Sequence, residues 1–226
     1  MSFRGGAVIA SWSEPRTADL EDLRAWHTHE HIPERLSLPG FLRARRYHGT
    51  DGPNAWFILY EVASLDVLAS PAYLTRLNDP TPWTRASVPR LHDAVRGACR
   101  VVHSTSFGVP GIAGTLRIPE APPELRDRLD SALQELARRK RTSGITGFHI
   151  CQADRSTSTI ATVERSLRAP ATPSCIVIVE GLTKDDVTRE VQQIRPALPN
   201  DPGIAQFWQC ELIVDGDRLQ EAWPSN

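Results

Sequence analysis

The sequence predicts an α+β fold in which two tandem ferredoxin-like βαββαβ units close their antiparallel sheets into one α/β barrel. Three observations predict it. Candidate elements run β, α, β, β, α, β over residues 1–108, and the same order starts again over 109–226. The run Trp56-Phe57-Ile58-Leu59-Tyr60-Glu61-Val62 before Ala63-Ser64 matches Cys175-Ile176-Val177-Ile178-Val179-Glu180-Gly181 before Leu182-Thr183, with Glu61 and Glu180 in corresponding places. Each unit would also leave one sheet face bare, and two units in one chain can bury those faces against each other.

Element by element, Ala7-Val8-Ile9-Ala10-Ser11-Trp12 is a short apolar run suited to a strand. Thr17 or Asp19 can cap a helix through Leu20, Leu23, Trp26 and His27, which Pro33 should end just beyond His31. After Pro39-Gly40, Phe41–His48 and Trp56–Val62 form a hairpin about the turn at residues 50–54. Ser64 caps a helix from Leu65 to about Leu77 that Pro71 should divide; Trp83–Val95 holds a further short helix, and Cys99–Phe107 is the fourth strand. In the second half, strands are expected at Thr115–Ile118, Gly147–Ala153, Cys175–Glu180 and Phe207–Val214. Helices are expected from Pro122-Pro123 to Lys140 and from Thr183 to Ile194, and residues 154–173 read as a long polar loop.

Composition narrows the function. The 226 residues carry 26 basic against 27 acidic side chains, so no net field draws the protein to nucleic acid or anionic lipid. No apolar stretch approaches the roughly 18 residues of a membrane span, and Met1–Gly6 lacks a signal-peptide pattern, so a cytoplasmic setting is expected. The four cysteines, Cys99, Cys151, Cys175 and Cys210, are widely spread, which favours reduced thiols on strands over a metal or redox motif. GxSxG, P-loop, GxGxxG and HExxH motifs are lacking, so hydrolase, nucleotide-binding and zincin readings have no support.

Trp26-His27-Thr28-His29-Glu30-His31-Ile32-Pro33, running into Pro39-Gly40 and the second strand, resembles the first helix of EthD-like proteins of the dimeric α/β-barrel superfamily. The resemblance covers the first half well and the second by element order only. It implies a small organic molecule as ligand and allows cofactor-free monooxygenase, isomerase, cyclase and haem-linked activities. Members usually dimerise to complete the barrel; this chain carries both halves, as a monomer with an internal pseudo-dimer or as a homodimer.

The candidate site follows from periodicity. On a helical wheel His27, Glu30 and His31 share the face of Leu20 and Leu23, with His29 opposite. A histidine there, near neutral pKa, can move protons, so His31 helped by His27 is the candidate acid/base pair. The competing readings are an exposed helix end whose histidines favour the helix dipole, and a His-x-x-x-His metal site. On the second strand Phe41, Arg43, Arg45 and Tyr47 share one face, and on the third Trp56, Ile58 and Tyr60 do. Glu30, Arg43, Arg45, Tyr47, Trp56, Tyr60 and His103 are therefore candidate substrate contacts in a cavity inside the barrel, with Arg43 or Arg45 stabilising negative charge. Neither a metal nor an organic cofactor is expected. The first half should carry the site and the second act mainly as scaffold, with a non-catalytic binding or sensing module as the alternative function and a haem-associated enzyme third.

Overall fold

The computed structural model describes residues 3–52, 54–122, 124–125, 127–128, 131, 144–168, 170–198 and 205–222. Its strands are β1 (Ala7–Ser13), β2 (Phe41–Gly49), β3 (Trp56–Val62), β4 (Val95–Ser106), β5 (Ile112–Ile118), β6 (Ile145–Ala153), β7 (Cys175–Gly181) and β8 (Ala205–Asp215). They close into a barrel in the order β1-β3-β2-β8-β5-β7-β6-β4, every neighbouring pair antiparallel. The first four run β4-β1-β3-β2 and the last four β8-β5-β7-β6, the ferredoxin-like order in each case, joined by the seams β2–β8 and β4–β6.

The irregularities recur too. Leu42 is skipped where β2 pairs with β3, and Thr146 where β6 pairs with β7. At the seams Glu211 of β8 is skipped against β2, and Val102 of β4 against β6. Such bulges bend a strand and re-aim its side chains. The one at Leu42 turns Phe41 away from the face of Arg43 and onto the helix side, against Tyr60 and Tyr73.

The first helix differs from the expected one in an informative way. Leu20–Trp26 is α-helical, His27–His31 forms a π-turn, and Ile32–Leu36 resumes the α-helix through Pro33. Proline lacks an N–H and crowds the carbonyl one turn back, and the wider π-turn immediately before it relieves both. Thus Pro33 does not end the helix. At the turn into β2, Gly40 has φ 89°, and a Cβ there would lie 2.5 Å from Val67 Cγ2. Pro71 divides its helix as expected, into a 3-10 turn Leu65–Ala69 and a helix Pro71–Asn78 capped by Ser70.

In the second half, Lys184–Ile194 is the helix expected there, capped by Thr183. Most of Pro122–Lys140 lies outside the described residues. Residues 154–173 are not plain loop: they hold short helices Arg155–Ser158 and Val163–Ser166 capped by Asp154 and Thr162. Among the described residues no helix is long and apolar enough to cross a membrane.

Three apolar cores result. One lies between the first sheet and its helices, around Leu23, Trp26, Ile32, Trp56 and Tyr60, and one between the second sheet and Lys184–Ile194, around Phe148, Val177, Val179 and Val187. The third fills the barrel, with Trp12, Tyr47, Phe57, Ile178 and Trp208 all buried. Each fully buried large apolar side chain contributes about 1.5–3 kcal/mol.

Candidate functional site

The barrel interior is packed rather than hollow. Trp12 and Phe57 stack at 5.0 Å and Tyr47 and Phe57 at 5.3 Å, while Thr115 Oγ1 accepts from the indoles of Trp208 (2.8 Å) and Trp12 (3.3 Å). Beyond these rings, Arg45 bridges Glu61 and Glu180 at 2.6 Å each, and Arg43 makes a two-pronged pair with Glu61. His149 Nε2 lies 3.0 Å from Glu180, its Nδ1 lies 2.8 Å from Ser104 Oγ, and Phe3 stacks on its ring. The two glutamates that mark the sequence match thus face each other across Arg45. Arg43, Arg45 and Tyr47 are placed here, paired with protein groups, although Arg45 Nε is buried without an acceptor among the described residues. They lie on the opposite face of the sheet from the histidines because β2 alternates strictly after its bulge. His103 sits at the β4–β6 seam opposite Ile150.

His27, His31, Trp56 and Tyr60 do come together, between the outer face of the first sheet and the helix above it. Ring centroids are 5.6 Å apart for His27 and His31, 5.8 Å for His27 and Trp56, and 6.4 Å from Tyr60 to either histidine; Trp26 lies 4.5 Å from His31. The π-turn brings residues four apart closer to alignment along the helix, and such turns often mark functional positions.

His27 is buried with both nitrogens engaged. Arg46 Nη1 is 3.2 Å from its Nδ1, and Tyr60 Oη is 3.2 Å from its Nε2. A guanidinium only donates, so Nδ1 accepts and, in the neutral ring, Nε2 carries the proton and donates to Tyr60. Burial, then the charges of His31 and Arg46, hold His27 well below its usual pKa of 6.5, so this neutral tautomer prevails at pH 7. Tyr60 Oη therefore accepts from His27 and keeps its own proton for another partner. Neither nitrogen of His27 remains for a metal or haem iron.

Arg46 is itself held by Glu211 at 3.0 Å and Thr28 at 2.9 Å, and its guanidinium covers Trp56. Glu211 is the bulged residue of β8, so the second half reaches across the seam to position His27.

His31 is the less committed histidine. It is partly exposed, and its buried Nδ1 has no hydrogen-bond partner among the described residues. Burial, followed by the charges of Arg35, Arg168 and Arg76, drives its pKa well below 6.5. It is thus an uncharged base at neutral pH. His29 is exposed on the far side of the turn. Glu30 accepts from Thr81 Oγ1 at 2.6 Å and Thr84 Oγ1 at 3.1 Å, tying the helix Pro82–Ser87 to the π-turn.

Sequence reasoning missed a group of arginines beside this site. Arg35 pairs with Glu34 and with Glu164, and Arg76 with Glu34 at 2.7 Å. Arg96 donates to Tyr73 Oη at 3.2 Å, and Arg165 and Arg168 line a cleft with it. Glu164, Arg165 and Arg168 come from the segment read as loop, so the second half brings charged side chains up to the helices of the first. The available signal was the charged run Val163-Glu164-Arg165-Ser166 after a capping threonine, but nothing in it names the first-half helix as its partner.

No protein-family model matches the sequence, and no curated protein matches it. Solved structures do. An anthrone oxidase-like protein superposes with a TM-score of 0.61 at 11% identity, covering 96% of both chains. The likeness is one of fold, an antiparallel α/β barrel of ferredoxin-like strand order. A monooxygenase candidate from Lactobacillus acidophilus gives 0.53 at 8% identity, over 93% of this chain and 96% of that one. A chlorite dismutase candidate gives 0.53 at 10% identity, over 96% and 99%.

Proposed function

We propose that the protein is a small-molecule enzyme of the EthD-like kind, working by acid/base chemistry without an organic cofactor, with His31 as general base. The observation that carries this is the division of labour within the π-turn. His27 is saturated and locked as one neutral tautomer, whereas His31 is neutral with an Nδ1 that has no partner among the described residues. In the reaction we envisage, His31 takes a proton from a carbon conjugated to a carbonyl, either directly beside it or, as in the methylene of anthrone, through aromatic rings. The C–H electron pair moves into the enolate, and Tyr60 Oη donates a hydrogen bond to the developing oxyanion. His27 positions Tyr60. This proton abstraction is a first step that isomerase, cyclase and monooxygenase chemistries share. The anthrone oxidase-like neighbour suggests a probe with a benzylic C–H acidified by conjugation to a ketone across the ring.

Fusion belongs to the same proposal: residues 1–108 and 109–226 are two copies of one unit, so a monomer already holds a complete barrel. Support comes from the shared strand order and the matched bulges at Leu42 and Thr146 and at Val102 and Glu211. We assign the protein to the cytoplasm, in keeping with four free thiols.

The test is exchange of the benzylic protons of anthrone in D2O, followed by NMR. His31→Ala should lower the catalysed rate about 10²- to 10⁴-fold, and His29→Ala should leave it close to the starting value. Equal losses in both variants, or no exchange above buffer with the intact protein, would contradict the reading and favour a non-catalytic binding module.

A further inference from the structure

The cleft lined by Arg96, Arg165 and Arg168 has a chemistry of its own. It encloses about 380 Å³ between β4 and residues 158–168 and 170–172, within the range of small-molecule sites. Its walls combine the apolar Ile160, Ala161 and Pro170 with three guanidiniums, those of Arg96, Arg165 and Arg168. The nearby Glu34 and Glu164 are already paired with Arg35 and Arg76, and among the described residues no carboxylate forms an ion pair with the three.

Their hydrogen bonds are unbalanced as well. Arg165 is anchored through Nη1, which donates to the carbonyls of Thr157 (3.2 Å) and Ile160 (2.7 Å). Its Nε and Nη2 are buried with no acceptor at good hydrogen-bonding geometry among the described residues, as is Arg168 Nη1, and Tyr73 and Glu164 offset the charge of both only in part. A buried donor left unsatisfied costs about 1–3 kcal/mol, and more when charged. Three like charges around one cleft add repulsion: burial and then Arg96 lower the pKa of Arg168 to about 10 and that of Arg165 in the same direction.

We propose that this cleft is an oxyanion subsite, taking the carboxylate or phosphate of a small and otherwise apolar organic ligand on the free donors of Arg165 and Arg168, with Arg96 alongside. Guanidinium forks match such oxyanions in geometry and charge. The fixed Nη1 bonds of Arg165 mean that its fork is oriented in advance.

Arg168 also connects the cleft to the histidines, since its charge acts on both His27 and His31. An anion on Arg168 would offset that charge and let His31 hold a proton more readily, so binding should draw protons from solution below neutral pH. Only this coupling rests on the proposed role of His31; the anion site would stand equally in a binding protein.

Isothermal titration calorimetry on the full chain with benzoate, benzamide and inorganic phosphate tests the proposal. Benzoate should bind at least about tenfold more tightly than neutral benzamide, and Arg168→Gln should remove about tenfold or more of that affinity. Arg168→Gln should fold, because it relieves like-charge repulsion. Thr159→Glu, an exposed change at the cleft wall, places a carboxylate in the site and should block benzoate. Phosphate binding more tightly than benzoate, with the same sensitivity to Arg168→Gln, would also support the subsite and assign it to phosphoryl groups. Equal affinities for benzoate and benzamide, or benzoate binding unchanged in Arg168→Gln and Thr159→Glu, would overturn it. Since the readout is heat of binding, this failure is distinguishable from loss of proton exchange in His31→Ala.

Discussion

At the scale of single residues, the proposed site rests on a contrast between two histidines four positions apart. His27 has a donor on one nitrogen and an acceptor on the other; His31 has a buried nitrogen without either among the described residues. Both are held neutral by burial and nearby positive charge. A depressed folded pKa means that His31 stays a competent base as pH falls through 6.5, so kcat/KM for proton abstraction should remain flat from neutral pH to well below that value. A decline centred at 6.5 or above would count against it. That these two histidines share a face, and Trp56 and Tyr60 another, was legible from helical and strand periodicity; that the two faces meet outside the barrel, away from Arg43, Arg45 and Tyr47, was not. Nor were Arg165 and Arg168, since periodicity says nothing about which distant element a short charged helix packs against.

At the scale of elements, the π-turn is the device that aligns the histidines, and Pro33 is its cause. The sequence shows the proline but not how the helix absorbs it. Pro33→Ala restores the missing N–H and removes the crowding at the carbonyl of His29, so the segment can relax toward a regular α-helix. We expect an unchanged or raised melting temperature together with a slower anthrone exchange rate. A variant with full activity would show that the π-turn has no functional part. The bulges were equally invisible in the sequence. Yet the one at Glu211 carries Arg46 and hence His27, and the one at Leu42 sends Phe41 to the helix side while Arg43 stays inside.

At the scale of the whole molecule, strand order and hairpins were legible because a six-element pattern repeated, but which sheet face would hold a ligand was not. Aromatic and charged residues alternate on both faces of β2 and β3, so alternation could not tell a pocket from a core. The structure fills the barrel with stacked rings and the network of Arg43, Arg45, Glu61, Glu180 and His149. Removing one partner of such a buried network typically costs about 3–5 kcal/mol, and Glu180→Gln should lower stability by that order in urea titrations. Burial opposes ionisation of Glu180, but the His149 hydrogen bond and Arg45 outweigh it and depress its pKa below 4.5. Its contribution is therefore full above pH 4.5 and is lost as pH falls through the lower folded value. His27 and His31 act earlier: below pH 6.5 the unfolded chain takes up protons that the folded chain refuses. Stability should thus fall in two stages on acidification, and Glu180→Gln should abolish part of the second stage only. A single transition unaffected by Glu180→Gln would contradict this.

The most direct test of the central claim, a neutral His31 beside a locked His27, is a long-range 1H–15N correlation of the imidazole rings followed across pH. The account predicts that at pH 6.5 both rings are neutral, with His27 showing a protonated Nε2 and an unprotonated Nδ1, and that His31 gains its proton only well below 6.5. A His31 ring already cationic at pH 6.5, or a His27 with its proton on Nδ1, would contradict it.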